Sequence, residues 1–390
     1  MNIIFVGLSG VPYKKRACDT RLLSFANAFV KKRNDVTILN RLPICYKEEN
    51  KIDKGLSAKI KIVELFKQNK INGTISLVYF TIFSYLKESI WLFNENKKNQ
   101  ISVLHLYSGH YFDFWYYHLI SRIIGAKVVY QYVELRSSHN RKGLYHKING
   151  ILCDKLGYKL FDGTITISTY IENMLHKCSP SLPTIKIPPI CNVSYYDHVE
   201  KLITKKKYIL FCGSSEYVEV IKLIIDAYRL SIISKTHGLL LVLSGSEESK
   251  RKIENYSIKG ITIKSGLNYK DLVKLYQGAS ALLIPLRNSV QDKARFPNKI
   301  CEYSACRGVI ITTNIGEIPY FFKDGKNALI ADDFTAKSIS NKLNILANMN
   351  DIDVLRIKDA SYHTCISFFD ISVYSDLLDD FLKNIISNKK

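Results

Sequence analysis

The sequence predicts an α/β protein of two doubly wound parallel-sheet domains, and three observations carry that prediction. The chain opens as strand, glycine turn, helix, strand, the start of a βαβ series: residues 2–6, Gly7-Leu-Ser-Gly10, 17–32 and 36–39. A second series of the same kind begins at 208–212, with Gly213-Ser-Ser215 as its turn. Between the two, Pro188-Pro189 breaks regular structure, and the polar, basic run 192–207 reads as a linker. At 390 residues the chain is long enough for two separate cores. The domains are expected at 1–192 and 205–369.

In the first half, residues 2–6 read as a strand running straight into a turn, without the basic segment or cleavage site of a signal peptide. A dinucleotide site would want Asp or Glu at the end of the second strand, to hold a ribose. Asn40-Arg41 stands there and the glycine pattern is incomplete, which argues against a hydride-transfer cofactor. Residues 75–93 are dense in Tyr, Phe, Ile and Leu and interrupted by Lys87-Glu88, too short and broken to span a membrane. They read as a core helix, or as a helix lying in a membrane interface. Residues 103–106 and 127–132 read as parallel strands around an aromatic-rich helix at 111–123. Glu134 and Arg136 follow the second of these strands, and ligands bind at strand C-termini in open α/β sheets. Glu134 is therefore a candidate catalytic, acceptor-facing carboxylate with Arg136 to orient it. A structural ion pair is the other reading.

Further strands are expected at 163–168 and 184–189. In the second half come a helix through 220–230, a strand at 238–243, the turn Ser244-Gly245-Ser246, a strand at 261–264, a helix from Tyr269 and a strand at 281–285. The most informative stretch follows: Arg295-Phe-Pro-Asn-Lys-Ile-Cys-Glu-Tyr-Ser-Ala-Cys-Arg-Gly308, then Val-Ile-Ile-Thr-Thr313. It reads as a loop, a short helix and a buried strand. Pro297 suits the first turn of that helix, Asn298 its cap and Gly308 its end. The helix N-terminus, backed by Lys299 and Arg295, would receive an anion, and Glu302 lies three residues beyond Lys299 on the same face. A cation and a carboxylate so placed suit a ligand with phosphates and hydroxyls, as a nucleotide has. An amphipathic helix with an ordinary Lys–Glu pair is the plainer reading.

With Leu282-Leu-Ile-Pro-Leu-Arg287 upstream and Thr313-Asn-Ile-Gly-Glu317 downstream, this stretch resembles the donor-site segment of retaining GT-B glycosyltransferases of the family 4-like, group 1 kind. Those enzymes build bacterial surface polysaccharides. The resemblance covers most of the chain and is sharp from 282 to 333. It implies the GT-B fold, two Rossmann-like domains facing a cleft, with a last helix at 370–390 crossing back to the first. It also implies a retaining transfer from a nucleotide sugar to a glycan or lipid-linked acceptor, with no bound metal and no other cofactor. Position by position, Glu302 matches the carboxylate on the donor ribose. Gly213 matches the glycine of the donor domain's first turn, and Ser214 and Gly245 are placed at the donor with it. Pro297, Asn298, Lys299 and Arg295 complete the expected donor set. Arg21 stands where similar enzymes often carry an arginine, although a surface salt bridge would equally account for it.

Two departures bear on activity. A second glutamate is usual eight positions before Glu302, and Ala294 stands there. The stretch Ser214-Ser-Glu-Tyr-Val-Glu219 lacks the cations that similar enzymes direct at the diphosphate. Either Arg295 and Lys299 take over that role or the donor site is impaired. A glycosyltransferase leads, with two alternatives: a nucleotide-sugar isomerase on the same fold, and a catalytically silent nucleotide-binding subunit.

Composition bounds the partners. Apolar residues make up 47% and charged residues 23%, as in a folded globular protein. Nine scattered cysteines, without a CxxC pair, argue for reduced thiols and a cytoplasmic protein. The net charge is +21, and residues 1–200 hold 28 basic against 15 acidic side chains. No nucleic-acid motif accompanies that excess. Peripheral contact with an anionic membrane, at its inner face, is the expectation that remains, beside a mere habit of lysine-rich composition.

Overall fold

The computed structural model describes residues 1–11, 17–42, 57–66, 73–138, 143–200, 206–254, 256 and 260–388. Residues 201–205 of the expected linker, and the last two of the 370–390 helix, lie outside them. The chain divides into two units, 1–188 with 294–296 and 371–390, and 189–293 with 297–370.

The first unit runs β1 (Asn2–Leu8), α1 (Ala17–Lys31), β2 (Asp35–Asn40), β3 (Lys61–Glu64), α2 (Gly73–Lys98), β4 (Val103–Leu106), α3 (Tyr111–Ile124), β5 (Lys127–Tyr132), α4 (Leu144–Leu156), β6 (Gly163–Thr166), α5 (Thr169–Cys178) and β7 (Thr184–Lys186). Its strands pair in the order β3-β2-β1-β4-β5-β6-β7, all parallel. The order reverses beside β1, so right-handed crossovers place α1 on one face and α2 to α5 on the other. Ile3 to Val6 and Val103 to Leu106 are buried, as strands covered on both faces require. β3 escapes sequence reading because it is short, polar and on the sheet edge. Gly7 has φ +76°, and a Cβ there would come within 3.0 Å of Leu106 Cδ1 and Tyr107 O.

Arg21 is not a surface residue. It is buried, donating from Nε to Gln131 Oε1 (2.9 Å) and from its terminal nitrogens to Pro188 O (2.6 Å) and Ile187 O (2.9 Å). The guanidinium braces α1 against β5 and the strand exit at 187–188, which corrects the expectation of a surface position. Helix α2 is a core helix on one stripe only: Ser84, Glu88 and Leu92 are fully buried, while Ile82, Leu86 and Ile90 face solvent. No helix among the described residues is long and apolar enough to cross a membrane.

The second unit runs α6 (Val193–Asp197), β8 (Tyr208–Ser214), α7 (Val218–Leu230), β9 (Gly238–Ser244), α8 (Glu247–Glu254), β10 (Ile261–Lys264), α9 (Tyr269–Gly278), β11 (Ala281–Leu283), α10 (Val290–Ala294), α11 (Lys299–Ala305), β12 (Ile310–Thr313), α12 (Ile318–Phe321), β13 (Leu329–Ala331), α13 (Ala336–Asn348) and α14 (Asp351–Phe368). The sheet order is β10-β9-β8-β11-β12-β13, again all parallel. Its core joins Ile209, Phe211, Leu241, Leu283 and Ile311 of the strands to Ile221, Ile224 and Leu343 of the helices. The last helix, α15 (Ile371–Ser387), belongs to the first unit, where Asn34 Nδ2 donates to Asp379 Oδ1 at 2.7 Å.

The ends of α11 differ from expectation. Pro297 lies outside the helix, its carbonyl accepting from Ile300 N at 3.0 Å. Asn298 occupies the cap position but makes no side-chain cap bond. The left-handed residue at the C-terminus is Arg307, with φ +53°, not Gly308. Gly308 N donates to Tyr303 O (2.9 Å) and Arg307 N to Ser304 O (3.0 Å), the paired bonds of a Schellman motif. Glycine is needed at 308 for space: a Cβ would overlap Leu282 Cδ1 and lie 3.0 Å from Tyr303 O.

Candidate functional site

Strand order in the second unit reverses at β8, whose neighbours β9 and β11 lie to either side, and open sheets bind ligands at that point beyond the strand C-termini. The segments leaving it are the turn before α7 and the loop from β11 to α11. The turn is held tightly. Ser215 N donates to Ser244 O at 2.6 Å, and Glu216 Oε1 accepts from Ser246 Oγ (3.1 Å) and Ser249 Oγ (2.9 Å). Gly245 has φ +127° and leaves no room for a Cβ beside the buried Ser215 hydroxyl, so only glycine brings these two turns together. A Cβ at Gly213 would press on the Phe211 ring at 2.6 Å, and Ser214 Oγ accepts from Glu216 N at 3.2 Å.

On α11, Glu302 is 4% exposed. Its Oε1 accepts a hydrogen bond from Tyr269 Oη at 3.2 Å, and Tyr269 Oη lies 2.7 Å from Tyr196 Oη. Tyr269 is the first residue of α9, positioned by Asn268, whose Oδ1 accepts from Asp271 N at 2.8 Å. Burial, then the Glu302 charge, raises the Tyr269 phenol well above its ordinary value, so it remains a donor to that carboxylate. Lys299 is half-buried. Burial alone would lower its ammonium, but Cys212, Glu302 and Tyr217 outweigh burial and hold it above the ordinary lysine value. Lys299 and Glu302 thus sit three residues apart on α11, with the ammonium held in its charged form. Helix α11 has only 7 residues, so its dipole adds little and positive charge has to come from side chains.

The sequence singled out Arg287 only as part of a resemblance, but the structure gives it a place. It follows β11 and is held by Asp292, with its backbone N at 2.8 Å and Nε at 2.9 Å from Oδ2. One terminal nitrogen reaches Gln291 Oε1 at 3.0 Å and the other Glu219 Oε2 at 3.4 Å, on the first turn of α7. Its guanidinium carbon is 6.0 Å from the Tyr217 ring centre. Asp292, by hydrogen bond and charge, raises the Arg287 value. Glu219 is therefore paired with a cation. The signal available was an arginine directly beyond a strand C-terminus.

Other expected residues lie elsewhere. Arg295, four positions before Lys299, is half-buried in the 294–296 stretch, which groups with the first unit. There Ala294 is fully buried and its carbonyl accepts from Ser168 Oγ at 2.6 Å, so its position offers no open surface to a ligand. Glu134 and Arg136 form an ion pair, Oε1 to a terminal nitrogen at 3.0 Å, just beyond β5. Asp154 accepts from the backbone of Arg136 (3.1 Å) and Ser137 (2.7 Å), and the Arg136 guanidinium fills the space over Gly109. The chain's Asp-x-Asp triplet, Asp351-Ile-Asp353, opens α14. There Asp353 receives Asn350 Nδ2 at 2.9 Å and pairs with Arg356 at 3.2 Å.

Residues 196–363 match the family model described as glycosyl transferases group 1. The second unit carries a glycosyltransferase domain. Solved structures agree on the fold over nearly the whole chain. Sucrose-phosphate synthase from Thermosynechococcus elongatus superposes with TM-score 0.75 at 13% identity, covering 100% of both chains. A glycosyltransferase from Rickettsia africae gives 0.70 at 16% identity, covering 100% of this chain and 99% of that one. Anabaena HepE, in complex with UDP and glucose, gives 0.71 at 12% identity, covering 98% and 100%. No curated protein matches the chain in sequence. The fold is GT-B, with two all-parallel Rossmann-like sheets of 7 and 6 strands, and the enzyme class is glycosyltransferase.

Proposed function

We propose that this glycosyltransferase moves a sugar, with retention, from a nucleotide-sugar donor to a glycan or lipid-linked acceptor in surface polysaccharide synthesis. The observation that carries this reading is the juxtaposition of Glu302, Tyr269 and Lys299 beside the switch point, inside the matched domain. The Glu302 carboxylate suits ribose hydroxyls, and the Lys299 ammonium suits a diphosphate. HepE was solved with UDP and glucose, which supports a donor of that chemical kind here. Charge grows on the leaving diphosphate in the transition state, so cations placed for it lower the barrier as well as aid binding. Lys299 and Arg295 are assigned that role, with no metal ion required. Gly213, Ser214 and Gly245 shape the turn that the diphosphate approaches, with Pro297 and Asn298 at the entrance to α11. The Glu134–Arg136 pair is assigned to the acceptor side as carboxylate and orienting cation. Peripheral attachment to an anionic membrane, at its inner face, would bring the first unit to a lipid-linked acceptor.

The silent-subunit alternative drew on Ala294 and Glu219, and the pairing of Glu219 with Arg287 removes half of that support. The deciding experiment screens nucleotide sugars against the purified chain, reading release of nucleoside diphosphate and the anomeric configuration of the product. Turnover of one donor with a retained anomer is expected. Tight nucleotide binding with no turnover for any donor and acceptor would favour the silent subunit instead.

A further inference from the structure

The outer face of the first unit carries a surface whose chemistry is specific. On α2, Ile82, Leu86 and Ile90 recur at intervals of four and are all more than half exposed. On α3, Trp115, Leu119 and Ile123 repeat the same spacing, exposed by 46%, 56% and 67%. On α4, Leu144, Ile148 and Ile151 follow at intervals of four and three, and all are exposed. The three helices are neighbours on one face of the sheet. The Tyr85 ring of α2 meets Phe112 of α3 at 5.3 Å, and Tyr111 N at the start of α3 donates to Asn149 Oδ1 of α4 at 2.9 Å. Soluble monomers rarely leave so broad an apolar face in water.

The charges on the same helices are sorted by sign. Of their four acids, Glu88, Asp113 and Asp154 are buried, and Glu95 is paired with Lys61 at 3.3 Å. Lys87, Lys97, Lys98, Lys147 and Lys155 are all exposed, and among the described residues none has an acidic partner. Arg122 is exposed as well and leans on Asp162 at 3.2 Å. The surface therefore combines aliphatic and aromatic side chains with outward positive charge. That is the composition of helices lying in the interface of an anionic bilayer, with apolar side chains below the headgroups and lysines reaching up to them. A second copy of the chain fits poorly, because a symmetric contact would set the same lysines against one another.

We propose that α2, α3 and α4 together form the surface by which the first unit lies on an anionic lipid bilayer. This rests on the peripheral-membrane reading above and gives it an address.

The test uses the full chain and vesicles of phosphatidylcholine, alone or mixed with phosphatidylglycerol. The wild type should sediment with the anionic vesicles and progressively less as salt rises. A variant carrying Ile82→Glu, Leu119→Glu and Ile148→Glu changes exposed positions only. It should keep the wild-type unfolding midpoint and bind at least ~10-fold more weakly, having lost apolar contact and gained negative charge. In a Trp91→Phe variant, Trp115 is the sole tryptophan, and its emission should shift to the blue on anionic vesicles alone. Equal binding by the triple variant and the wild type, or anionic binding with no Trp115 shift, overturns this surface while leaving membrane attachment standing. Failure of the wild type to prefer anionic over neutral vesicles overturns both.

Discussion

Glu302 is held by the Tyr269 hydroxyl, and its role at the donor is testable. A carboxylate accepting ligand hydroxyls forms charge-assisted bonds of about 1.5–3 kcal/mol each. Glu302→Ala is therefore expected to weaken nucleotide affinity by at least ~10-fold, measured by calorimetry on a variant shown to be folded. Unchanged affinity would remove Glu302 from the donor site. The cations make a sharper case. Arginine grips two phosphate oxygens at once and lysine acts as a point charge. Arg295→Lys should impair turnover although charge is kept, and Lys299→Ala should raise the donor concentration needed, both in excess EDTA. Activity that vanishes in EDTA and returns with magnesium would transfer the role to a metal. In the first unit, burial raises Glu88 to about 8 against the pull of Arg41 and a hydrogen bond from Tyr117, with Asp113 adding repulsion. Asp113 is held low instead, because burial is outweighed by Arg41, Ser108 and Tyr85. A carboxyl raised on folding contributes stability below its unfolded value, and that contribution is lost as pH rises through the folded value. Stability attributable to Glu88 should thus decline between its ordinary value, 4.5, and about 8. Glu88→Gln should flatten that slope and gain roughly 1–3 kcal/mol over wild type at pH 8, read from urea midpoints. A slope equal to wild type would mean that Glu88 is already ionised when folded.

At the scale of elements, α11 is a short helix made rigid by its ends. Its residues from Ile300 to Ala305 are buried, and the Schellman bonds close it directly against β12. The cramped position is Gly308, under Leu282 and Tyr303. Gly308→Ala should cost about 1–3 kcal/mol by overpacking, seen as a lower unfolding midpoint, and should displace Glu302 enough to weaken nucleotide binding. A variant of wild-type stability would show that Leu282 moves aside at no cost. Arg287 joins two other elements, donating to Asp292 on α10 and Glu219 on α7. Local sequence shows an arginine after a strand; only the sheet order brings it to a glutamate 68 positions away.

For the whole molecule, both tryptophans, Trp91 and Trp115, lie in α2 and α3 of the first unit, and Glu302 and Lys299 lie in the second. A nucleotide titration should register in calorimetry, and a change in tryptophan emission along with it would show that the ligand alters the surroundings of α2 or α3. The charge of +21 is likewise unevenly expressed: on α2, α3 and α4 the acids are buried or paired and the lysines are exposed. Net charge read from composition pointed to an anionic partner, but composition has no direction, and only the fold says which face presents it.

The sequence by itself determined the architecture. Two series of apolar, β-branched runs separated by glycine turns and amphipathic helices produce two parallel sheets, because the apolar run of a buried strand and the apolar period of a helix are patterns of consecutive residues. The strands at 103–106 and 127–132 were legible to the residue, and Lys299 and Glu302 were legible as a pair on one helix. The tertiary structure alone decided what those residues touch. Tyr269 reaches Glu302 from α9 and is itself met by Tyr196 of α6, Arg21 turns inward to backbone carbonyls, and Arg307 takes the left-handed conformation expected of Gly308. Each of these depends on sheet order or on the space left by a distant side chain, such as Leu282 over Gly308, and neither leaves a mark on local sequence.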